Sequence, residues 1–423
     1  MPLELPYKAH RIRSPLPLID QSIDRSRMES TSSLKPCVVS QPQSPKQGDD
    51  DGKAAAAPKP MPASARTASS FAMLTRFHAG YFRISLALSG QALLWRTLSD
   101  SSSPSSSSTE QQASPLRPVV RSLPSAAFVL LWSLALLTLL ALCALYAARC
   151  ALRLPAVRAE FRHHVGMNYL FAPWISGLLL LQASTPCFLA PGSPSYHALW
   201  WAFSLPVLVL DVKVYGQWFT RGKKFLSMVA NPASHMTVIA NLVTARAAAR
   251  MGWHEGAVAM FAVGAAHYLV LFVTLYQRFL GSDSLPAMLR PVFFLFFAAP
   301  SMAALAWRSI TGSFDTCCKM LFFLSLFLFA SLVSRPTLFK RAMRRFSVAW
   351  WAYSFPLTVL ALAAAEYAQE LSEEAAASVL MLALAVLSVV VTLALMVFTA
   401  LRTGDLLPHD DPFDCAQMLP ATR

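Results

Sequence analysis

A handful of ionisable side chains lie inside apolar stretches of this 423-residue chain, and their types could do chemistry: Arg83, Asp211, Lys213, His235 and His267. They do not read as a catalytic set. Asp211 and Lys213 are two residues apart, which on a helix puts them on different faces. His267 has no second histidine or carboxylate nearby in sequence, so a hydrogen-bonded packing role is expected for it. The pair His163-His164 borders an apolar stretch and reads as interfacial. No Ser/His/Asp order, Gly-rich phosphate loop or paired carboxylate stands out, and the seven cysteines lack metal spacing. Enzymatic activity, metals and cofactors are therefore not expected. What remains is binding and steering. A charge at membrane depth needs a partner or water. Arg83 is the candidate partner for Asp211, and Lys213 is a candidate to face a pore mouth and concentrate anions there.

A second set of residues acts through the backbone. Pro173, Pro232, Pro300 and Pro356 each fall about eight to ten residues into an apolar stretch, and successive members are 59, 68 and 56 residues apart. That spacing is roughly one helical hairpin, the trace expected of a quasi-symmetric bundle. Proline inside a helix removes a hydrogen bond and clashes with the carbonyl one turn earlier. Lipid cannot satisfy the freed carbonyl, so such helices should face other helices or a water-filled passage. The neighbours of these prolines are uncharged: Phe171, Ala172, Ala298, Ala299, Ser301 and Ser354. A passage without fixed negative charge, with basic residues at its mouths, would favour anions such as chloride and nitrate, sorted by their cost of dehydration.

The elements that must position these residues are long apolar helices. The composition is 55% hydrophobic and only 14% charged, with a mean hydropathy of +0.46. The apolar residues gather into ten runs: 79–95, 125–148, 165–184, 196–217, 225–245, 256–277, 291–307, 316–334, 346–365 and 375–401. Most have the length that crosses about 30 Å of hydrocarbon as a helix. The fold class expected is an all-α integral membrane protein, its ten helices forming five hairpins around a central pore. Odd-numbered helices would be inside. The first carries Ser89-Gly90 where the others carry proline. Loops after even-numbered spans hold fourteen basic residues and loops after odd-numbered spans hold six, which predicts that both termini are cytosolic. The net charge of +14 is spread in these short clusters, so lipid headgroups rather than nucleic acid account for it. Residues 1–70, polar and rich in Pro, Ser and Lys, read as a disordered cytosolic tail with no signal peptide, and 403–423 as a short cytosolic tail.

Within 76–402 the chain resembles the plant slow-type (S-type) anion channels and their bacterial relatives in the tellurite-resistance/dicarboxylate transporter family. The matching segments include Phe77-His78-Ala79-Gly80-Tyr81-Phe82-Arg83-Ile84, Asn168-Tyr169-Leu170-Phe171-Ala172-Pro173-Trp174 and Lys213-Val214-Tyr215-Gly216-Gln217-Trp218. They continue with Val229-Ala230-Asn231-Pro232-Ala233-Ser234-His235, Ala266-His267-Tyr268-Leu269-Val270, Phe297-Ala298-Ala299-Pro300-Ser301 and Trp350-Trp351-Ala352-Tyr353-Ser354-Phe355-Pro356. The short tails look most like those of the shorter homologues of the guard-cell channel. The resemblance implies a plasma-membrane homotrimer with one pore per subunit, formed by the five odd helices. It also implies that Phe355 plugs that pore at mid-membrane. Kinase control is implied too, and Arg66-Thr67-Ala68-Ser69 and Arg27-Met28-Glu29-Ser30 fit a basic-x-x-Ser pattern. Two alternatives stay open: a poorly conducting modulatory subunit that assembles with a homologous channel, or a dicarboxylate or other anion transporter of the same fold.

Overall fold

Helices account for all the regular structure among the described residues of the computed structural model, which are 77–100, 125–185, 189–220, 230–279, 287–340, 343, 346–371 and 374–403. Both predicted tails apart from residue 403, the Ser-rich stretch 101–108, the kinase-type patterns, and the basic residues Arg221, Lys223, Lys224, Arg341, Arg344 and Arg345 lie outside them. Ten long helices follow in order: α1 Phe82–Asp100, α2 Ser125–Leu152, α3 Ala172–Ala183, α4 Pro194–Thr220, α5 His235–Arg250, α6 His254–Phe279, α7 Leu295–Thr311, α8 Thr316–Val333, α9 Ser354–Glu370 and α10 Ala375–Leu401. Short helices at Leu154–Arg162 and His164–Tyr169 lead into α3, and another at Thr337–Lys340 follows α8.

Each odd helix packs against the even helix that follows it, giving five hairpins. The odd helices also pack on one another in sequence, α1 on α3, α3 on α5, α5 on α7 and α7 on α9, and α9 closes back onto α1. The result is a closed ring of five with the even helices outside. Burial separates the two sets. In the most apolar 18-residue stretch of each segment, 67% to 94% of residues are buried for those containing α3, α7 and α9, against 17% to 33% for the even helices. The outer helices display Leu130, Val212, Leu269, Met320, Phe327 and Leu401, side chains at home against lipid acyl chains.

Eight helical segments are long and apolar enough to cross a membrane: those containing α2, α3, α4, α6, α7, α8, α9 and α10. The first and fifth of the ten expected spans are present as α1 and α5 but fall short of that measure. Their polar side chains explain the shortfall. On α1, Ser85 meets Ser176 of α3 at 3.2 Å, and the Gln91 amide donates to Thr358, Ser388 and Thr392 at 3.0, 2.7 and 2.8 Å. On α5, Asn241, Thr244 and Arg246 are buried. These helices are surrounded by protein, where hydrogen bonds across helices replace apolarity as the adhesive.

The inner spans are not single unbroken helices. Each ring helix is entered through a separate short segment: 3-10 turns at Ala79–Tyr81, Pro232–Ser234, Ala287–Phe294 and Val348–Ala352 before α1, α5, α7 and α9, and the helix His164–Tyr169 before α3. The prolines sit at or near these joints, which changes their expected role. Pro173 is the second residue of α3, Pro356 the third of α9, and Pro232 opens the turn before α5. Proline in a first helical turn removes no intrahelical bond, because those N–H groups have no partner there anyway. Of these four, only Pro300, the sixth residue of α7, lies inside its helix. Beside it, the Phe297 carbonyl accepts from the Ser301 hydroxyl at 2.9 Å and from Ser325 of α8 at 2.6 Å.

At the start of the ring, a glycine carries a packing constraint. A Cβ on Gly166 would lie 2.8 Å from the Glu160 carbonyl oxygen, a backbone atom that cannot swing aside. Gly166→Ala is expected to displace the Leu154–Arg162 helix and cost about 1–3 kcal/mol. A thermal midpoint in detergent equal to that of the wild type would show the joint to be looser than its geometry.

Candidate functional site

The five inner helices α1, α3, α5, α7 and α9 pack in a closed ring, and the side chains at its joints and two ends are the candidate site. At the joint of α9, Phe355 is 1% exposed. Its ring lies on α1 at Gly90, where an added Cβ would stand 3.3 Å from Phe355 Cδ2 and 3.4 Å from Thr358 Cγ2. The glycine allows the close approach of ring and helix. Next to it, the Ser89 hydroxyl is fully buried with no hydrogen-bond partner in the protein, as is Thr237 of α5. Buried hydroxyls almost always have a partner, so these two have capacity to bond something else. At this joint the phenyl ring of Phe355 and the methyl of Thr358 are the groups that face Gly90.

The N-terminal end of the ring is held by charges. Arg149 of α2 pairs with Glu160 at 3.0 Å, both nearly buried. Arg149 also donates to the Phe77 carbonyl, and Glu160 Oε1 accepts from the Ala79 N–H at 2.7 Å. One ion pair thus ties α2, the short Leu154–Arg162 helix and the entry to α1. His78 caps that entry, its Nδ1 accepting from the Gly80 N–H at 3.0 Å. Burial, and then the charges of Arg83 and Arg149, hold its pKa down to about 3. The neutral ring keeps Nδ1 as the acceptor of that bond. His163, the acceptor for the Gly166 N–H at 3.4 Å, is also lowered by burial. On the other side, Asp315 caps α8 through the Cys318 N–H and takes the Trp307 indole N–H at 2.9 Å. Those two bonds, in that order, hold its carboxyl below the usual range.

The C-terminal end of the ring is a second, larger charged cluster. Glu366 of α9 contacts Arg246 of α5 at 2.6 Å and Arg308 of α7 at 3.2 Å. Arg246 reaches on to Gln182 of α3 at 3.4 Å, and Arg250 to the Gln182 carbonyl at 3.0 Å.

The predicted charges at the pore mouth are arranged differently from expectation. Arg83 does not pair with Asp211. Its Nε donates to the Gly80 carbonyl at 2.8 Å, and its guanidinium lies over the Tyr169 ring at 4.7 Å. Asp211 is on the outer helix α4, buried where it meets Asn241 of α5 and Tyr215. The pair does not form because α4 lies outside the ring, packed on α3 and α5 rather than on α1. Lys213, also on α4, donates to the Phe161 carbonyl at 2.6 Å. It pins the Leu154–Arg162 helix from outside. His267 packs edge-on to Tyr215 at 5.0 Å between rings. The clusters around Glu160 and Glu366 were missed because their residues counted only as topology charges. A signal was available: Arg246 and Glu366 stand inside or at the edge of apolar runs, where a charge needs a partner.

A family of voltage-dependent anion channels matches residues 76–400, which is most of the chain and all of the ring. The chain belongs to the S-type anion channel family. Over 337 residues it is 56% identical to the S-type anion channel SLAH1 of Arabidopsis thaliana, covering 80% of this chain and 84% of that protein. It is 53% identical over 338 residues to the S-type anion channel SLAH4, covering 80% and 87%, and 41% identical over 297 residues to the guard cell S-type anion channel SLAC1, covering 70% and 50%, both of the same organism. As an S-type channel it is a multi-pass membrane protein that passes anions and is not an enzyme. The polar groups of an S-type channel need not move protons or form bonds. They need only substitute, briefly and in turn, for the water around an ion.

Proposed function

We propose that this S-type channel conducts chloride and nitrate across the plasma membrane through the ring of five inner helices, with Phe355 as the gate. The chain would cross the membrane ten times, α1 and α5 included, with both termini in the cytosol. It would work as a homotrimer or as a heteromer with a homologous subunit, each with its own pore, and under the control of a kinase. The observation that carries this reading is the contact of Phe355 with Gly90 across the α1–α9 joint, where the ring of helices closes. A phenyl ring there fills space without offering charge, so it blocks an ion sterically and by withholding solvation. Rotating it away about χ1 would leave hydroxyls, including that of Ser89, to solvate an anion.

The expected result in whole-cell recording is a current whose reversal potential follows the chloride or nitrate gradient. Exchanging chloride for nitrate should shift it, and exchanging sodium for a large cation should not. Recordings made with and without a co-expressed kinase, and with and without a homologous subunit, complete the test. A flux that saturates with no reversal potential of its own would instead identify a transporter. Currents seen only on co-expression with a homologue would identify a modulatory subunit.

A further inference from the structure

The cluster at the C-terminal end of the ring does more than fasten helices. α3, α5, α7 and α9 each contribute a side chain to it, through Gln182, Arg246, Arg308 and Glu366. Two guanidiniums share one carboxylate, a surplus of one positive charge. Arg246 is 2% exposed and Glu366 3%, whereas the Arg308 side chain is 27% exposed, so the surplus charge lies at the rim of the cluster and faces the mouth of the ring. A buried ion pair of matched charge roughly breaks even against apolar packing, and a surplus positive charge beside it attracts a second anion from the mouth.

Donors for such an anion are in place. Arg246 Nε has no hydrogen-bond partner in the protein, and neither does the hydroxyl of Tyr196, which projects from α4 and is 1% exposed. Trp200, one turn along α4, donates to the Thr244 carbonyl of α5 at 3.2 Å, which sets Tyr196 beside the last turns of α5. Arg250, in the last turn of α5, is accounted for by its bond to the Gln182 carbonyl at the end of α3. That bond does not account for Arg246, a turn earlier, whose guanidinium points to other helices. Guanidinium carries five N–H donors in a fixed fork, and Glu366 and Gln182 do not use all of them.

We propose that Arg246, Arg308 and Tyr196 form a binding site for a small monovalent inorganic anion at the C-terminal mouth of the ring, with the Glu366 carboxylate as a tethered occupant that the mobile anion displaces. A carboxylate on a short tether keeps the site filled when no ion is present, and its return helps to eject a bound ion. Favourable entry with ready exit is what conduction requires. The role in permeation rests on the conduction reading above. Binding itself is measurable without any current.

The test uses the purified full-length protein in detergent, with thermal midpoints measured in sodium chloride, sodium nitrate and sodium gluconate at equal ionic strength. The wild type should show a small dependence on anion. Glu366→Gln removes the internal competitor, so its midpoint should fall in gluconate and recover in chloride or nitrate. Half of that recovery should need about tenfold less chloride than any shift in the wild type. In the double variant Arg246→Gln/Glu366→Gln the dependence should vanish. Equal midpoints for Glu366→Gln in all three salts, or a dependence that survives in the double variant, would overturn the proposal. Where Glu366→Gln does not fold, Glu366→Asp keeps the charge, shortens the tether by one methylene, and should shift the chloride titration in the same direction. An unchanged titration there counts against the site. A wild type that binds anions in this assay but passes no current, alone or with a homologue, would refute the conduction reading and leave this site standing.

Discussion

Phe355→Ala is expected to raise the anion current per channel at the cell surface by about tenfold or more. The magnitude follows from the barrier. If the closed rotamer is favoured by about 1.4 kcal/mol, removing the ring multiplies the open fraction by about ten, and a stronger preference gives more. Phe355→Leu should fall between wild type and alanine, because a leucine fills part of the lumen. Truncating a buried phenylalanine also costs about 3–5 kcal/mol of stability. Surface density must therefore be measured beside current, by biotinylation or an epitope tag. A current per surface channel that stays at or below the wild-type level would remove Phe355 as the gate and make it a packing residue between α1 and α9. Gly90→Val offers the complementary case. A branched side chain there would take the space the phenyl ring fills, since a Cβ alone already stands 3.3 Å from Phe355 Cδ2, so it should push the ring from its closed position and the current per surface channel should rise.

Arg149→Met is the substitution with the largest expected effect on stability. It takes the guanidinium from the buried Glu160 carboxylate, which keeps its bond from the Ala79 N–H, and it removes the donor to the Phe77 carbonyl. Breaking one side of a buried ion pair costs about 3–5 kcal/mol, because the other charge is stranded. The paired variant Arg149→Met/Glu160→Met should recover a large part of that loss, as two apolar side chains replace two opposed charges. Thermal unfolding in detergent, with surface expression as a second measure, reads both. If the single variant melts with the wild type, the ion pair is dispensable and the entry to α1 is held by the His78 and Tyr81 contacts instead.

The ring was legible from the residues because its cause is periodic. Prolines at one-hairpin intervals and a Ser89-Gly90 step in place of the first are local signals, and the five inner helices carry them. Long apolar stretches such as Ala126–Leu152 likewise reveal the outer helices directly. What was not legible depends on neighbours in space. Arg83 and Asp211 have complementary charge at similar depth, yet α4 packs on α3 and α5 from outside the ring and does not reach α1. Arg246 and Glu366 are 120 residues apart, and their place at the edge of apolar runs signals that each needs a partner without saying which. The position of the prolines within their helices was also hidden, because hydropathy does not distinguish a 3-10 turn from an α-helical one. Both are apolar, and only the hydrogen-bond pattern separates them.

The closure of the ring has an electrical consequence. Each inner helix is followed by a single return helix, so all five run in the same direction and their backbone dipoles add. Each contributes roughly half a positive charge at its N-terminal end and half a negative charge at its C-terminal end. The interior of the ring is thus polarised along its length even without charged side chains. In the proposed conduction path these dipoles draw an anion toward the N-terminal joints and oppose it at the far mouth, where the charges of Arg246 and Arg308 offset them. The channel should therefore rectify, and neutralising those two arginines should steepen the asymmetry between inward and outward current.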